Sequence, residues 1–274
     1  MISVQNLTKS YSESVILSQI NLDIQEGEFV SIIGPSGSGK STLVNIIAGL
    51  DKASSGKVSM DGKEVKDTDT DRMMVFQSPA LFPWLSVYNN VASGLKNICK
   101  DKNEIHERVS MVLKKVYLLK YKDYYPHQLS GGMKQRVALA RSMVMNPKVL
   151  LMDEPFSALD EQTRMLLHGE LQQIWMETKK TIIFVTHNIR EAVKLSTRVV
   201  ILGTRPGTIV EQMDIGVGYP RKLENPDLFL MEKALYGKLK AEMEKVVKEE
   251  LGNDYNFEKD NIFDKYNNTL GGGI

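Results

Sequence analysis

The residues best suited to chemistry lie in a glycine-rich segment that follows an apolar run and precedes an apolar helix. The run is residues 29–33, the helix is residues 43–48, and the segment reads Gly34-Pro35-Ser36-Gly37-Ser38-Gly39-Lys40-Ser41-Thr42. Glycines let successive backbone N–H groups curl around a phosphate, and the helix start adds the positive end of its dipole. Lys40 suits the outer phosphates, and the Ser41 hydroxyl suits Mg²⁺. The alternative is a glycine- and serine-rich surface turn.

Two neighbouring carboxylates form a second candidate group. Asp153 and Glu154 directly follow the apolar run 149–152, and parallel sheets bind their ligands outside the carboxyl ends of strands. Asp153 in that place would hold Mg²⁺ through water opposite Ser41, and Glu154 would polarise an attacking water as general base. An acidic helix cap is the alternative.

A third candidate is a second glycine turn that precedes a helix. It reads Leu129-Ser130-Gly131-Gly132-Met133-Lys134-Gln135-Arg136 and continues into a helical run. A helix start of this kind has free N–H groups that can bind an anion. Because it lies far along the chain from the first anion site, it suggests that two chains share one nucleotide. An ordinary glycine turn is the alternative.

Periodicity predicts the elements that must position these groups. Period-two alternation predicts strands over 2–8 and 15–24, joined by a polar turn at 9–13. Continuous apolar runs, typical of parallel strands covered on both faces, occur at 29–33, 73–76, 149–152 and 181–185.

Helical periodicity predicts the remaining elements. An inserted helical region runs from about 78 to 145, and further helices are expected at about 161–178 and 189–195. A hairpin over 199–202 and 208–210 follows. Pro226 begins a last helix with one apolar face, made of Leu228, Met231, Leu235, Leu239, Met243 and Val246. Residues past 251 are expected to form a flexible tail.

Composition excludes several classes of function. The chain has 274 residues, 42% hydrophobic, with a formal net charge of +1. This balance gives no general attraction to nucleic acid. The single cysteine, Cys99, excludes an internal disulfide and fits a reducing compartment. No signal peptide is expected at the N-terminus, and no apolar stretch approaches the roughly 18 residues that span a bilayer.

We call residues 34–42 the phosphate loop. The chain resembles the ATPase subunits of ATP-binding cassette (ABC) transporters in this loop, in the glycine turn at 129–136, in the Asp153-Glu154 pair and in the spacing between them. The resemblance covers about residues 1–215 and implies ATP and Mg²⁺ as ligands. It also implies that Tyr11 stacks on adenine, that Gln77 senses Mg²⁺ and the attacking water, and that His187 contacts the γ-phosphate. The family often has Asp after this histidine, where this chain has Asn188.

The same resemblance implies roles for three sets of residues. Those expected to act in catalysis are Lys40, Gln77, Glu154 and His187. Those of the family signature, expected to close over the nucleotide of a partner chain, are Leu129, Ser130, Gly131, Gly132 and Gln135. Those of the D-loop, expected to cross the dimer interface, are Ser157, Ala158, Leu159 and Asp160.

Residues 76–91, with a Pro-Trp pair, and Arg205-Pro206-Gly207 look like the nitrate, sulfonate, taurine and bicarbonate importers. The resemblance implies that Phe82, Pro83 and Trp84 contact an integral-membrane permease; packing within the helical region is the alternative. It further implies a homodimer, an indirect extracellular substrate-binding protein, no nucleic acid, and a peripheral position on the cytoplasmic face of the cell membrane. Importers of thiamine or pyrimidine precursors and of riboflavin share these features.

The predicted fold class is α/β. The expected architecture is a P-loop NTPase core with a mostly parallel sheet and flanking helices, an N-terminal antiparallel β subdomain and an inserted helical subdomain. Residues 1–220 would form the nucleotide-binding domain, with 221–274 a C-terminal helical extension. Two other classes stay open: a soluble ABC ATPase that acts on DNA or ribosomes, and a nucleotide kinase or GTPase. The latter would leave Ser130-Gly131-Gly132 and His187 without a role.

Overall fold

The computed structural model describes residues 1–222 and 225–251, without the side chains of residues 247–251. In chain order the elements are β1 (Ile2–Tyr11), β2 (Ser14–Ile24), β3 (Phe29–Ile33), α1 (Lys40–Ala48), β4 (Ser55–Met60), β5 (Lys63–Glu64), β6 (Arg72–Val75), α2 (Val87–Ile98), α3 (Lys102–Lys115), α4 (Gly131–Met143), β7 (Val149–Asp153), α5 (Glu161–Thr178), β8 (Thr181–Val185), α6 (Ile189–Leu195), β9 (Arg198–Leu202), β10 (Ile209–Asp214) and α7 (Pro226–Leu251). The predicted flexible tail lies outside the described residues.

The central sheet has six strands in the order β10-β9-β3-β8-β7-β6, and all neighbours are parallel except β10 and β9. Strands β3, β7, β8 and β9 are largely apolar and buried on both faces, because each face is covered. In β7, Leu150 and Met152 enter one buried cluster, whereas Val149 and Leu151 enter another. This alternation accounts for the continuous apolar runs in the sequence.

A second, antiparallel sheet contains β2, β1, β4 and β5 in that order. Its apolar side chains share one buried cluster with α1 and with one face of the central sheet, as Leu7, Ile20, Leu43 and Val30 illustrate. The helix that follows the phosphate loop is therefore held by both sheets.

One local prediction about this sheet is wrong. The polar turn expected at 9–13 is shorter, because β1 continues to Tyr11, which pairs with Ser14. Ser12 and Glu13 alone form the turn. Polar side chains do not end a strand whose backbone still has a partner, since the ladder satisfies the same N–H and C=O groups.

Helices α2, α3 and α4 lie between β6 and β7 in the sequence and pack on one another. Val91, Leu95, Val109, Leu113 and Val137 are buried in their shared core. The fold class predicted from the sequence is confirmed, including the antiparallel N-terminal sheet and the inserted helices. The domain boundaries stay a prediction.

Helix α7 covers α6 and the neighbouring edge of the central sheet. Leu228, Leu235 and Leu239 are buried in one cluster with Val193 and with Ile33, the residue just before the phosphate loop. Within the described part of the chain, no helix is long and apolar enough to cross a membrane.

This packing predicts that α7 contributes to stability through one face only. Leu235→Ala removes a fully buried side chain and should lower the free energy of unfolding by about 3 kcal/mol. Leu230→Ala is the matched control, because that leucine is 62% exposed on the same helix, and its effect should stay below about 0.5 kcal/mol. Urea denaturation measures both. Equal losses in the two variants would contradict the packing.

Candidate active site

The glycine-rich segment turns directly from β3 into α1. Gly39 stands before the first helical residue with φ +85°, in the left-handed region that glycine favours, and a Cβ there would lie 2.6 Å from Cδ2 of Leu17. Ser38 is fully buried. The segment is thus a packed turn at a helix N-terminus rather than a loose surface turn. Free N–H groups of the first helical turn can bind an anion there.

The ammonium group of Lys40 lies inside this turn. Its Nζ donates to the carbonyl oxygens of Gly34 at 2.9 Å and Pro35 at 2.8 Å. Burial lowers the pKa of Lys40, and the carboxylates of Glu154 and Asp153 act in the opposite direction. A buried cation held by neutral carbonyls is a strong attractor for an anionic ligand, since a phosphate supplies the missing opposite charge.

Ser41 and Asp153 face each other across the mouth of the turn. Ser41 Oγ donates to Asp153 Oδ1 at 3.0 Å. Burial raises the pKa of Asp153, the hydrogen bond from Ser41 lowers it, and nearby Glu154 raises it. The Ser41 hydroxyl and the Asp153 carboxylate are oxygen ligands of the type that Mg²⁺ prefers.

Any cation at this place would need further ligands from elsewhere. The described residues contain no group of three or more His, Cys, Asp or Glu side chains that could hold a metal ion. Mg²⁺ commonly binds through one or two protein oxygens plus phosphate and water. The Ser41 and Asp153 oxygens therefore fit a nucleotide-bound Mg²⁺ rather than a resident metal.

Glu154 and His187 come together because β7 and β8 are neighbouring parallel strands. Glu154 N donates to Val185 O at 3.0 Å, and His187 Nδ1 lies 3.1 Å from Glu154 Oε2. Glu154 has φ +44°, which is uncommon for a residue with a side chain and often accompanies a functional position. The predicted general base, Glu154, is thus in direct contact with His187, the histidine predicted to contact the γ-phosphate.

Gln77 lies just beyond β6 and is connected to Glu154 through the D-loop residue Ser157. Its Nε2 donates to Ser157 Oγ at 3.0 Å, and that hydroxyl donates to the Glu154 carbonyl oxygen at 3.0 Å. Gln77, Ser157 and Glu154 therefore form a continuous chain of contacts. Asn188 has a local role as well, because its Oδ1 accepts from the N–H of Arg190 at the start of α6.

Tyr11 ends β1 with half of its surface exposed. Its hydroxyl donates to Asp51 Oδ2 at 2.5 Å, and Lys9 Nζ lies 4.5 Å from the ring centroid. The hydrogen bond to Asp51 raises the pKa of Tyr11. An exposed ring held at a fixed angle can stack on a planar ligand. No motif in the sequence points to Lys9 or Asp51 as partners of this ring.

The signature residues do not all lie at the surface. Ser130 and Gly131 are exposed at the start of α4, where Ser130 Oγ accepts from Met133 N at 3.3 Å. Leu129 and Gln135 are buried, and Gln135 Nε2 donates to the Phe76 carbonyl oxygen at 3.3 Å. Gln135 therefore links α4 to the Gln77 segment instead of facing solvent.

The D-loop is fixed by Arg164, an arginine to which no sequence motif points. Arg164 Nη2 donates to Leu159 O at 2.8 Å, and Nε donates to Phe156 O at 3.3 Å. Asp160 caps α5 by accepting from Thr163 N at 2.9 Å. Ala158 and Asp160 are exposed.

The Phe82-Pro83-Trp84 segment is exposed, and hydrogen bonds hold the backbone at its start. Trp84 is 71% exposed, and its ring centroid lies 5.7 Å from that of Phe82. Arg141 Nη1 donates to Ala80 O at 2.8 Å, while the buried Asn90 side chain bonds both N–H and C=O of Phe82. Exposure of Trp84 argues against the alternative that it packs inside the helical region.

Comparison with known proteins relates these residues to a family. The sequence model of the ABC transporter family matches residues 17–157. The nitrate import ATP-binding protein NrtD of Synechocystis sp. is 48% identical over 212 residues, which is 77% of this chain and 79% of that protein. The aliphatic sulfonates import ATP-binding protein SsuB of Bacillus thuringiensis subsp. konkukian is 42% identical over 224 residues, which is 80% of this chain and 88% of that protein.

A solved structure agrees with these relatives. The ATP-binding cassette MJ0796, in a dimeric post-hydrolysis state bound to ADP and Pi, superposes with a TM-score of 0.70 and 36% identity, covering 80% of this chain and all of that one. The resemblance inferred from the sequence is confirmed. This chain belongs to the ABC transporter family and is an ATPase of the kind that drives transport.

Proposed function

We propose that this chain hydrolyses Mg²⁺-ATP as the energy-coupling subunit of a membrane importer, as a homodimer around two shared ATP molecules. The observation that carries the proposal is the convergence of Lys40, Ser41-Asp153 and Glu154-His187 at one edge of the central sheet. A phosphate-binding turn, a cation site and a base in contact with a histidine are the parts that phosphoryl transfer to water requires.

Nucleotide binding involves the whole turn. Backbone N–H groups of the turn would surround the phosphates, and Tyr11 would stack on the adenine ring. The turn comprises Gly34, Pro35, Ser36, Gly37, Ser38, Gly39, Lys40, Ser41 and Thr42, of which Pro35 alone has no N–H to donate. Lys40 Nζ would exchange its carbonyl partners for phosphate oxygens. Ser41, Asp153 and, through its amide oxygen, Gln77 would hold Mg²⁺, which supplies charge neutralisation at the phosphates.

Hydrolysis needs a water molecule aligned with the γ-phosphate. Glu154 would take a proton from that water, with His187 holding the carboxylate from the side and contacting the γ-phosphate. Gln77 would orient the same water. The contact between Gln77 and the D-loop serine, Ser157, supports a link between hydrolysis and the interface with a second chain.

The signature residues would complete the site of the partner chain. Exposed Ser130 and Gly131 at the N-terminus of α4 support this reading. A Cβ at Gly132 would lie 2.3 Å from Cγ2 of Thr163, so the turn sits close against the start of α5 and the D-loop. Gln135 and Leu129 would act from beneath the surface.

The permease and the imported substrate are inferred from the relatives and from one surface. NrtD and SsuB are named for nitrate and sulfonate import, and we propose a small anion of this kind, including taurine or bicarbonate. Phe82, Pro83 and Trp84 would receive a cytoplasmic helix of the permease, which would hold the chain at the cytoplasmic face of the cell membrane. An extracellular substrate-binding protein would deliver the substrate. A thiamine-precursor, pyrimidine-precursor or riboflavin importer is the second candidate.

Removing the base should separate ATP binding from ATP hydrolysis. Glu154→Gln keeps the side-chain shape but cannot accept the proton, so turnover should fall at least about 100-fold. ATP should then remain bound and the variant should elute as a dimer in size-exclusion chromatography with ATP and Mg²⁺. Turnover near the wild-type rate, or a monomer under these conditions, would argue against the proposed base.

Mixed dimers test whether the two halves of a site belong to different chains. One chain carries Lys40→Ala and the other Ser130→Arg, both with Glu154→Gln so that ATP is held without turnover. If sites are shared, one site of the mixed dimer collects both changes and the other none, so one ATP should be trapped per dimer. Each parent homodimer is the control and should trap almost none. Trapping no better than the parents would contradict shared sites.

An anchor residue can be tested by recovery of the permease. Trp84→Ala should lower the amount of integral-membrane subunit that co-purifies with the tagged chain by at least about tenfold, since central aromatic residues dominate such interfaces. Phe229→Ala removes a similarly exposed aromatic ring, 63% exposed on α7, and should change recovery by less than twofold. Mass spectrometry of purified complexes measures both. Equal recovery from the two variants would contradict a contact between Trp84 and the permease.

A further inference from the structure

A buried carboxylate lies directly behind the candidate active site. Glu191, on α6, is 5% exposed and accepts a hydrogen bond from Thr186 Oγ1 at 2.5 Å. Its other oxygen, Oε1, lies 3.1 Å from His168 Nε2 on α5 and 3.7 Å from Arg164 Nε. A buried charge of this kind is retained only where several partners stabilise it.

On one side of this cluster, Thr186 holds the turn that carries His187. Thr186 Oγ1 accepts from Asn188 N at 3.0 Å while it donates to Glu191. The residues on both sides of His187 are therefore connected to the Glu191 carboxylate through the Thr186 hydroxyl. His187 itself is exposed, and within the described part of the chain its side chain forms a hydrogen bond with Glu154 alone.

On the other side of the cluster, Arg164 holds the D-loop. Arg164 donates to the carbonyl oxygens of Phe156 and Leu159, which flank Ser157 and Ala158. The same guanidinium approaches Glu191 Oε1, whereas Thr186 donates to Glu191 Oε2. A cavity of about 10 Å³ lies between the two sides, and Ser157, Thr186, Arg164 and Glu191 all contribute to its lining.

We propose that Glu191 is a positioning residue that couples the D-loop to His187, through Arg164 on one side and Thr186 on the other. This inference rests on the proposed function. Movement of the D-loop carbonyls shifts Arg164, which shifts the shared carboxylate and with it the hydroxyl that fixes the His187 turn. Packed polar networks can carry such coupling because each member has few alternative partners.

Two variants of Thr186 separate its hydroxyl from its shape. Thr186→Val keeps the volume and removes the hydroxyl, so kcat should fall about 100-fold through misplacement of His187. The KM for ATP should change less than about threefold, because Lys40 and Tyr11 are untouched. Thr186→Ser restores the hydroxyl and should recover most of kcat. Normalising kcat to the fraction of folded, ATP-binding protein removes any contribution from a general loss of folded chain.

A spectroscopic readout tests the coupling without turnover. The chain has four histidines, and ¹H–¹⁵N correlation of their ring nitrogens reports each tautomer and hydrogen bond. Glu191→Gln and Arg164→Lys should each shift the His187 signals in the nucleotide-free protein. His106 and His127, on the inserted helical region, are internal controls that should not move.

A matched carboxylate elsewhere controls for loss of a buried ion pair. Glu28 pairs with Arg198 at 2.6 Å with its side chain 15% exposed, just before β3 and so at the opposite edge of the sheet. Glu28→Gln should leave the His187 signals in place and kcat within about twofold of wild type.

Unchanged His187 signals and kcat in Glu191→Gln would overturn the proposal. So would equal effects of Glu28→Gln and Glu191→Gln. A wild-type chain that hydrolyses no ATP would instead contradict the proposed function, and the His187 signals would still decide the coupling.

Discussion

The phosphate loop, the Asp153-Glu154 pair and His187 all follow three neighbouring parallel strands, β3, β7 and β8, and depend on how those strands are aligned. Ile32 of β3 and Asp153 of β7 both pair with Val185 of β8, so the three strands end at one edge. Because successive side chains point to opposite faces, a slip of one residue would move Leu150 and Met152 into the wrong buried cluster. The apolar packing that stabilises the sheet therefore also fixes the distances between phosphate loop, carboxylates and histidine.

Features that rest on adjacent residues could be predicted from the sequence. The phosphate loop needs only glycines, a lysine and a serine between a strand and a helix. The Asp153-Glu154 pair needs only the end of an apolar run. Parallel strands then bring these local features together, and the order of alternating strands and helices already indicated such a sheet. The contact between Glu154 and His187 is a consequence of that order.

Contacts between distant elements could not be predicted in the same way. The helical spacing predicts an ion pair between Arg164 and Glu161, one turn earlier, and Arg164 Nη1 does lie 3.0 Å from Glu161 Oε2. Its bonds to the D-loop carbonyls depend on how α5 meets the loop. Glu191 looks like a solvent-facing helical residue until the packing of α5 on α6 buries it. Gln135 was expected to act with the signature on the nucleotide of a partner chain, but its side chain is buried and donates to the Phe76 carbonyl oxygen.

Helix α7 makes the order of synthesis matter. Its leucines complete a cluster that includes Ile33, Val199 and Ile201, yet α7 follows β9 in the chain by more than twenty residues. At ribosomal rates of about 5–20 residues per second, the apolar edge of the sheet stays uncovered for a few seconds after β9 emerges. During that interval the nascent chain exposes an apolar surface beside its nucleotide site. Molecular chaperones bind surfaces of this kind.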